Sequence, residues 1–304
     1  MKGKLPKLLT LVGSAAVVAS IAATQFIETS HLPPIEDEDY GDHIRKISVD
    51  ALVKEPLVAD NSQGRTILVP RTFIKDLPEG LTTEQNSERK KSAFENILLP
   101  LVLRANERII LERTHIMHLQ DKMKRIENIG ARDHNWLKSI CKRYRLTVPE
   151  GKPTDSLFEN LLARVDVVPA SLALGQAAIE SGWGTSYFAQ KGNALYGEWV
   201  WDESAPGIVP KRREDGKTHR IRAFRYLFDS VDSYMLNLNR NRAYRDLRAR
   251  RLALRQQGLP ITGADLAPTL LKYSERGQDY VDDLLGLMRF NEYFRFDSAR
   301  LETV

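Results

Sequence analysis

A single cysteine, Cys141, is present in 304 residues. This excludes an intrachain disulfide, a cysteine-ligated zinc site and a CxxC redox pair, and leaves packing to hold the fold. Signature loops are missing as well. The chain has no GxGxxG, P-loop, HExxH or GxSxG, so no cofactor is implied. No sign of charge dominates: 45 Lys+Arg against 40 Asp+Glu leaves a formal +5, which favours anionic surroundings without demanding nucleic acid. What is present is ordinary globular usage, 42% hydrophobic and 28% charged. That supports a packed core in one or two folded units.

Long apolar runs are scarce, with one exception at the start. Lys2, Lys4 and Lys7 precede an uncharged stretch over 8–27, closed by Glu28. A positive n-region followed by an apolar h-region is the layout of an export signal. Twenty residues at about 1.5 Å each also just reach across a bilayer. A signal cleaved near Ser20-Ile21-Ala22 and an uncleaved anchor both fit, although Thr10, Ser14, Ser20, Thr24 and Gln25 make it a weakly apolar anchor. In either case the lysines stay cytoplasmic and the downstream chain lies in the periplasm, released or held at the inner membrane by residues 8–27. The alternative is a buried helix of a cytosolic protein.

Four segments are expected. Residues 1–28 form the signal peptide or signal anchor. Residues 29–85, with Leu32-Pro33-Pro34, the acidic run Glu36-Asp37-Glu38-Asp39 and prolines at 56, 70 and 78, show no apolar period and read as a largely irregular linker. Residues 86–150 form a helical arm: Phe94, Leu98, Leu101, Ala105, Ile109 and Met117 recur near helical spacing, bent or split at Pro100, and a second helix runs from about Trp136 to Tyr144. Gly151 and Pro153 mark a joint before the densest part, 151–304. There, helices are expected over 157–164, from Val168-Pro169 to Ser181, and over 231–239, 243–255, 266–273 and 280–291. One hairpin is expected from Gly207 to Phe224 around Asp215-Gly216. The fold class is therefore α+β, mostly helical, with a small β-hairpin lobe.

The sharpest chemical feature is Gln176-Ala177-Ala178-Ile179-Glu180-Ser181-Gly182-Trp183-Gly184-Thr185-Ser186. Glu180 falls in the last turn of an otherwise apolar helix, where the helix dipole disfavours its charge. Partial burial pushes in the same direction and raises the pKa. A carboxyl held protonated near neutral pH suits protonation of a glycosidic leaving group. A structural Glu bonding a backbone N–H or an arginine is the competing reading.

The string AAIESGWGTS, followed by Gly192-Asn193-Ala194-Leu195-Tyr196-Gly197, resembles the bacterial glucosaminidase family (glycoside hydrolase family 73), whose members cut peptidoglycan and have a lysozyme-like fold. Phe224-Arg225-Tyr226 with Asp229-Ser230, then Tyr234, then Tyr273 and Tyr280 match in order. From Leu161 to Pro169 onward the likeness is to the Bax-like subgroup. The resemblance covers roughly 155 to 295 and is less specific in the arm, at Arg89–Phe94 and Cys141–Tyr144. It implies Glu180 as general acid and Tyr273 as the active-site tyrosine, although Tyr280 follows at seven residues where the family usually has six. It implies substrate contacts from the Asn193–Gly197 turn, Ser230 and Tyr280. Trp183 either stacks on a sugar or packs under its turn, with packing favoured; Tyr196 divides evenly between core and cleft. A second carboxylate, where the family has one, comes from the β-lobe. Glu214, 34 residues after Glu180, is the leading candidate, with Asp215, Glu198 and Glu203 as rivals. A substrate-assisted route needs none. The expected partner is the peptidoglycan glycan strand. Rival functions are a lytic transglycosylase, which Ser181 after the Glu suits but a missing Gly-Leu-Met-Gln type motif does not, and a non-catalytic peptidoglycan-binding or scaffold protein.

Two further clusters are read as solvated surface. Glu112, His115 and His118 share a helical face at metal-like spacing but have no fourth ligand nearby. Residues 240–255 hold seven arginines against one aspartate, which an export signal separates from nucleic acid.

Overall fold

The computed structural model describes residues 48–54, 66–125, 129–148, 153–211, 216 and 218–303. The expected signal or anchor, the acidic run 36–39, Gly151 and the Glu214-Asp215 pair lie outside the described residues. Among the described residues, no helix is long and apolar enough to cross a membrane.

The longest element is not an arm. After a short helix α1 (Val49–Lys54), strand β1 (Leu68–Val69) and helix α2 (Gly80–Thr83), helix α3 runs unbroken over Ser87–Lys124. Asn86 caps it, its side chain accepting from the Glu88 and Arg89 amides. The helix passes through Pro100 without splitting. The lost backbone bond costs about 3 kcal/mol, and complete burial of Phe94, Leu98, Leu101, Val102 and Ala105 offsets it. Helix α4 (Ala131–Arg143) follows, then α5 (Asp155–Arg164), α6 (Ala170–Ser181) and α7 (Tyr187–Gly192). Helix α3 packs on α5, on α6 and on the later helix α8 (Leu227–Arg240). Residues expected to stand apart therefore share one core with the rest.

The described part of the expected linker, 66–85, also packs on this core. Phe73, Ile74, Leu77 and Leu81 are buried. Strand β1 pairs in parallel with β5 (Arg300–Leu301), Leu68 opposite Arg300. Scattered apolar residues without period still fold when they are laid, one at a time, over an existing core.

Helix α6 is the central element. Every residue from Ala170 to Ala178 is buried. Its start has no local side-chain cap; instead the Asp297 carboxylate accepts from Ser171 N and Ser171 Oγ, at 3.0 and 2.9 Å, and also from Gly263 N. Gly175 lets it approach helix α11 (Gln278–Phe290): a Cβ there would stand 2.7 Å from Met288 Cγ. Its end is set by Gly182 at φ +58°, the left-handed turn that glycine adopts without strain.

The β-lobe is a three-stranded antiparallel sheet in the order β2 (Trp199–Val200), β4 (Arg220–Arg222), β3 (Gly207–Ile208). The expected hairpin is its β3–β4 pair, with Ile208 opposite Ile221. The 266–273 helix is not formed. Helix α10 (Gly263–Leu266) gives way to a 3₁₀ turn over Ala267–Thr269, because Pro268 lacks the N–H an α-helix needs. Helix α9 (Arg245–Gln256) is not a merely solvated arginine face. Arg251 is fully buried and donates to the carbonyls of Ala163, Arg164, Asp166 and Val167, closing the end of α5. The Glu112–His115 face is packed too: Tyr144 donates to Glu112, and His115 stacks on Trp136 at 4.1 Å.

Candidate active site

Helix α6 delivers Glu180 from the core to its rim. Glu180 reaches solvent, yet its carboxyl is partly withdrawn from water. Burial raises its pKa, and a hydrogen bond from the Tyr280 hydroxyl to Oε1 at 3.1 Å draws it part of the way back. Four residues earlier, on the same helical face, Gln176 is completely buried. Its Nε2 donates to Tyr280 Oη at 3.0 Å, and its Oε1 accepts from Tyr234 Oη at 2.6 Å. A relay thus runs Tyr234, Gln176, Tyr280, Glu180, with each hydroxyl direction fixed by the amide.

Stacked rings hold this relay. Tyr280 lies against Tyr273 at 5.3 Å and 18°, Tyr234 against Tyr196 at 3.8 Å and 5°, and Tyr273 tilts onto Tyr244 at 6.0 Å. Burial, with the charges of Glu198 and Glu180, pushes the Tyr244 hydroxyl up to about 12. Tyr244 therefore sits in the field of both carboxylates.

The sequence-derived candidates divide into two groups. Tyr280, expected to bind substrate, is the tyrosine bonded to Glu180; Tyr273, expected to act in catalysis, supports Tyr280 by stacking. The Asn193–Gly197 turn does meet the site, since a Cβ on Gly197 would lie 4.0 Å from Glu180 Oε2. Asn193 itself is buried at φ +50°, its amide nitrogen held by Asp76 Oδ1 and by the carbonyls of Phe224 and Arg225. Ser230 Oγ accepts from Leu195 N, and Tyr196 is core. These three fix the turn from behind instead of facing a ligand. Trp183 packs against the core, with Lys91 Nζ 5.7 Å from its ring centroid. Ser181 Oγ is occupied by the Ala177 carbonyl and the Gly184 amide.

Of the β-lobe carboxylates, Glu214 and Asp215 lie outside the described residues, and Glu203 is exposed. Glu198 is held at the base of the lobe. Burial raises its pKa, against Ser233 Oγ donating at 2.8 Å and Arg222 Nη1 at 3.8 Å. Among the described residues no group of three metal-ligating side chains occurs. Gln176 was legible as a lone amide four positions before Glu180 in an apolar helix; Tyr244 carried no such signal.

A carboxyl raised by burial and aligned by a tyrosine hydroxyl can hold a proton and give it up. Residues 156–292 match the family described as mannosyl-glycoprotein endo-beta-N-acetylglucosaminidase. Protein bax of Escherichia coli (strain K12) is 30% identical over 203 residues, 67% of this chain and 70% of that protein. The catalytic domain of the autolysin Auto from Listeria monocytogenes aligns with 59% of this chain and 96% of its own, at 16% identity and a TM-score of 0.34. The protein is a glycoside hydrolase. It belongs to the glucosaminidase family, on its Bax-like branch, and its architecture is the mostly helical α+β one expected.

Proposed function

We propose that the protein hydrolyses β-1,4 bonds of the peptidoglycan glycan strand on the N-acetylglucosamine side, with Glu180 as general acid. The observation that carries this reading is the Glu180 carboxyl, raised by burial at the rim of the core and oriented by Tyr280. Protonated Glu180 gives its proton to the glycosidic oxygen as the C–O bond breaks, and the Tyr280 hydroxyl stabilises the carboxylate left behind. The second group is Glu214, carried on the β3–β4 connection, which acts as nucleophile or as base for water. The n-region and apolar stretch over 8–27 support export to the periplasm and association with the inner membrane if that segment is retained.

The test is a zymogram of wild type beside Glu180→Gln, with mass spectrometry of the released muropeptides. Clearing by wild type, loss of about 10²–10⁴-fold in the variant and reducing N-acetylglucosamine ends are expected. Products with 1,6-anhydro ends overturn hydrolysis in favour of transglycosylation. An active Glu180→Gln removes Glu180 from the chemistry, and an equally active Glu214→Gln removes Glu214.

A further inference from the structure

Two tryptophans of the β-lobe stand in water. Trp199 is 57% and Trp201 61% exposed, although large aromatic rings are normally drawn into a core or an interface. They are not loose. Trp199 lies on β2 opposite Ile221, and His219, just before β4, stacks on it at 4.4 Å and 17°. Trp201 meets Trp199 edge-on at 5.9 Å and 66°. The rings form a ledge with a wall, backed by His219.

The ledge continues the site. Gly197, whose Cβ position lies 4.0 Å from Glu180 Oε2, is two residues before Trp199, and two extended residues span about 7 Å. We propose that Trp199 and Trp201, braced by His219, form a stacking subsite for a sugar ring of the glycan strand next to the bond presented to Glu180. This rests on the glycan reading above. The apolar C–H face of a pyranose fits an indole face, while its hydroxyl rim stays in water. Nearby charge favours a neutral ring over a phosphate: Arg220 Nη2 is occupied by the carbonyls of Asp202 and Ala205, at 2.7 and 3.0 Å. Sequence alone offered one cue, two tryptophans at i and i+2, a spacing that places both side chains on one face of a strand.

The experiment uses the full chain. In a Glu180→Gln background, a β-1,4-linked N-acetylglucosamine hexamer is titrated by calorimetry and by tryptophan fluorescence, with and without Trp199→Ala/Trp201→Ala. At least tenfold weaker binding in the double variant is expected, as befits the loss of stacked aromatic contacts. Because the rings are exposed, circular dichroism and Tm should stay at the wild-type values, which separates ligand loss from unfolding. In the active background KM for glycan strands rises about tenfold while kcat falls far less. Unchanged hexamer affinity with unchanged KM overturns the subsite while leaving the hydrolase reading intact. Hexamer binding that depends on the tryptophans, in a wild type that cuts no glycan, keeps the subsite and overturns the hydrolase. A wild type that neither binds nor cuts overturns both.

Discussion

Replacing Tyr280 with Phe deletes one oxygen atom and tests the relay at its centre. The hydroxyl donates to Glu180 Oε1 at 3.1 Å and accepts from Gln176 Nε2 at 3.0 Å, while the ring rests on Tyr273. The ring and its stacking survive the substitution; the two hydrogen bonds do not. A hydrogen bond to a carboxylate exceeds one to a neutral carboxyl by about 1–1.5 kcal/mol. Removing it leaves burial to act on Glu180 with less opposition, so the carboxyl holds its proton to higher pH. Because the acid must be protonated to act, the alkaline limb of the kcat/KM profile should move upward by roughly one pH unit. Gln176 Nε2 is left buried without its acceptor, which costs about 1–3 kcal/mol of stability and lowers Tm by several degrees. The assay is initial rate on purified glycan strands across pH, with Tyr273→Phe in parallel, since Tyr273 supports the site through its ring. An alkaline limb that stays fixed in Tyr280→Phe, or that moves in Tyr273→Phe instead, refutes the assignment of the donor to Tyr280.

Asp166 anchors α9 to α5: it accepts from Arg255 at 2.7 and 3.0 Å, with Arg113 and Arg251 at 3.6 and 4.0 Å. Burial raises its pKa but the Arg255 bonds and the Arg251 and Arg113 charges outweigh burial and hold it below the usual value. Asp166→Asn should lose about 3–5 kcal/mol at pH 7 in urea unfolding. The wild-type advantage exists above the ordinary Asp value and fades in acid as the folded state takes up the proton; an equally stable variant at pH 7 contradicts the network. Glu95 behaves oppositely. Burial, opposed by Arg295 at 3.9 Å, lifts it to about 7, so its contribution is full below about 4.5 and lost as pH rises through 7. Glu95→Gln should therefore gain up to about 3 kcal/mol over wild type at pH 8 and nothing at pH 4, measured by Tm; a loss at pH 8 would show the ion pair to prevail.

Local pattern was enough for the helices that carry the chemistry. The apolar run before Glu180 and the glycine after it fix α6 and its end, because periodicity and a left-handed cap act within a few residues. The β3–β4 pair was legible for the same reason. That the described part of the expected linker joins the core was not legible, because burial by a distant core leaves no local period. Val69 is buried only because β5 arrives beside it, and Pro100 is tolerated only because the helix around it is buried.

The sequence by itself determined a mostly helical α+β chain with one exceptional carboxylate and a family of motifs around it. It did not decide what those residues touch. Tyr273 and Tyr280 are alike in sequence, and only the crossing of α11 on α6, made close by Gly175, selects Tyr280 to bond Glu180. Asn193, Tyr196 and Ser230 belong to the right motif yet face inward, and Trp199 and Trp201 belong to no quoted motif yet face out. Residue type records which chemistry is available. Direction and solvent access come from packing between segments a hundred or more residues apart, where no local rule reaches.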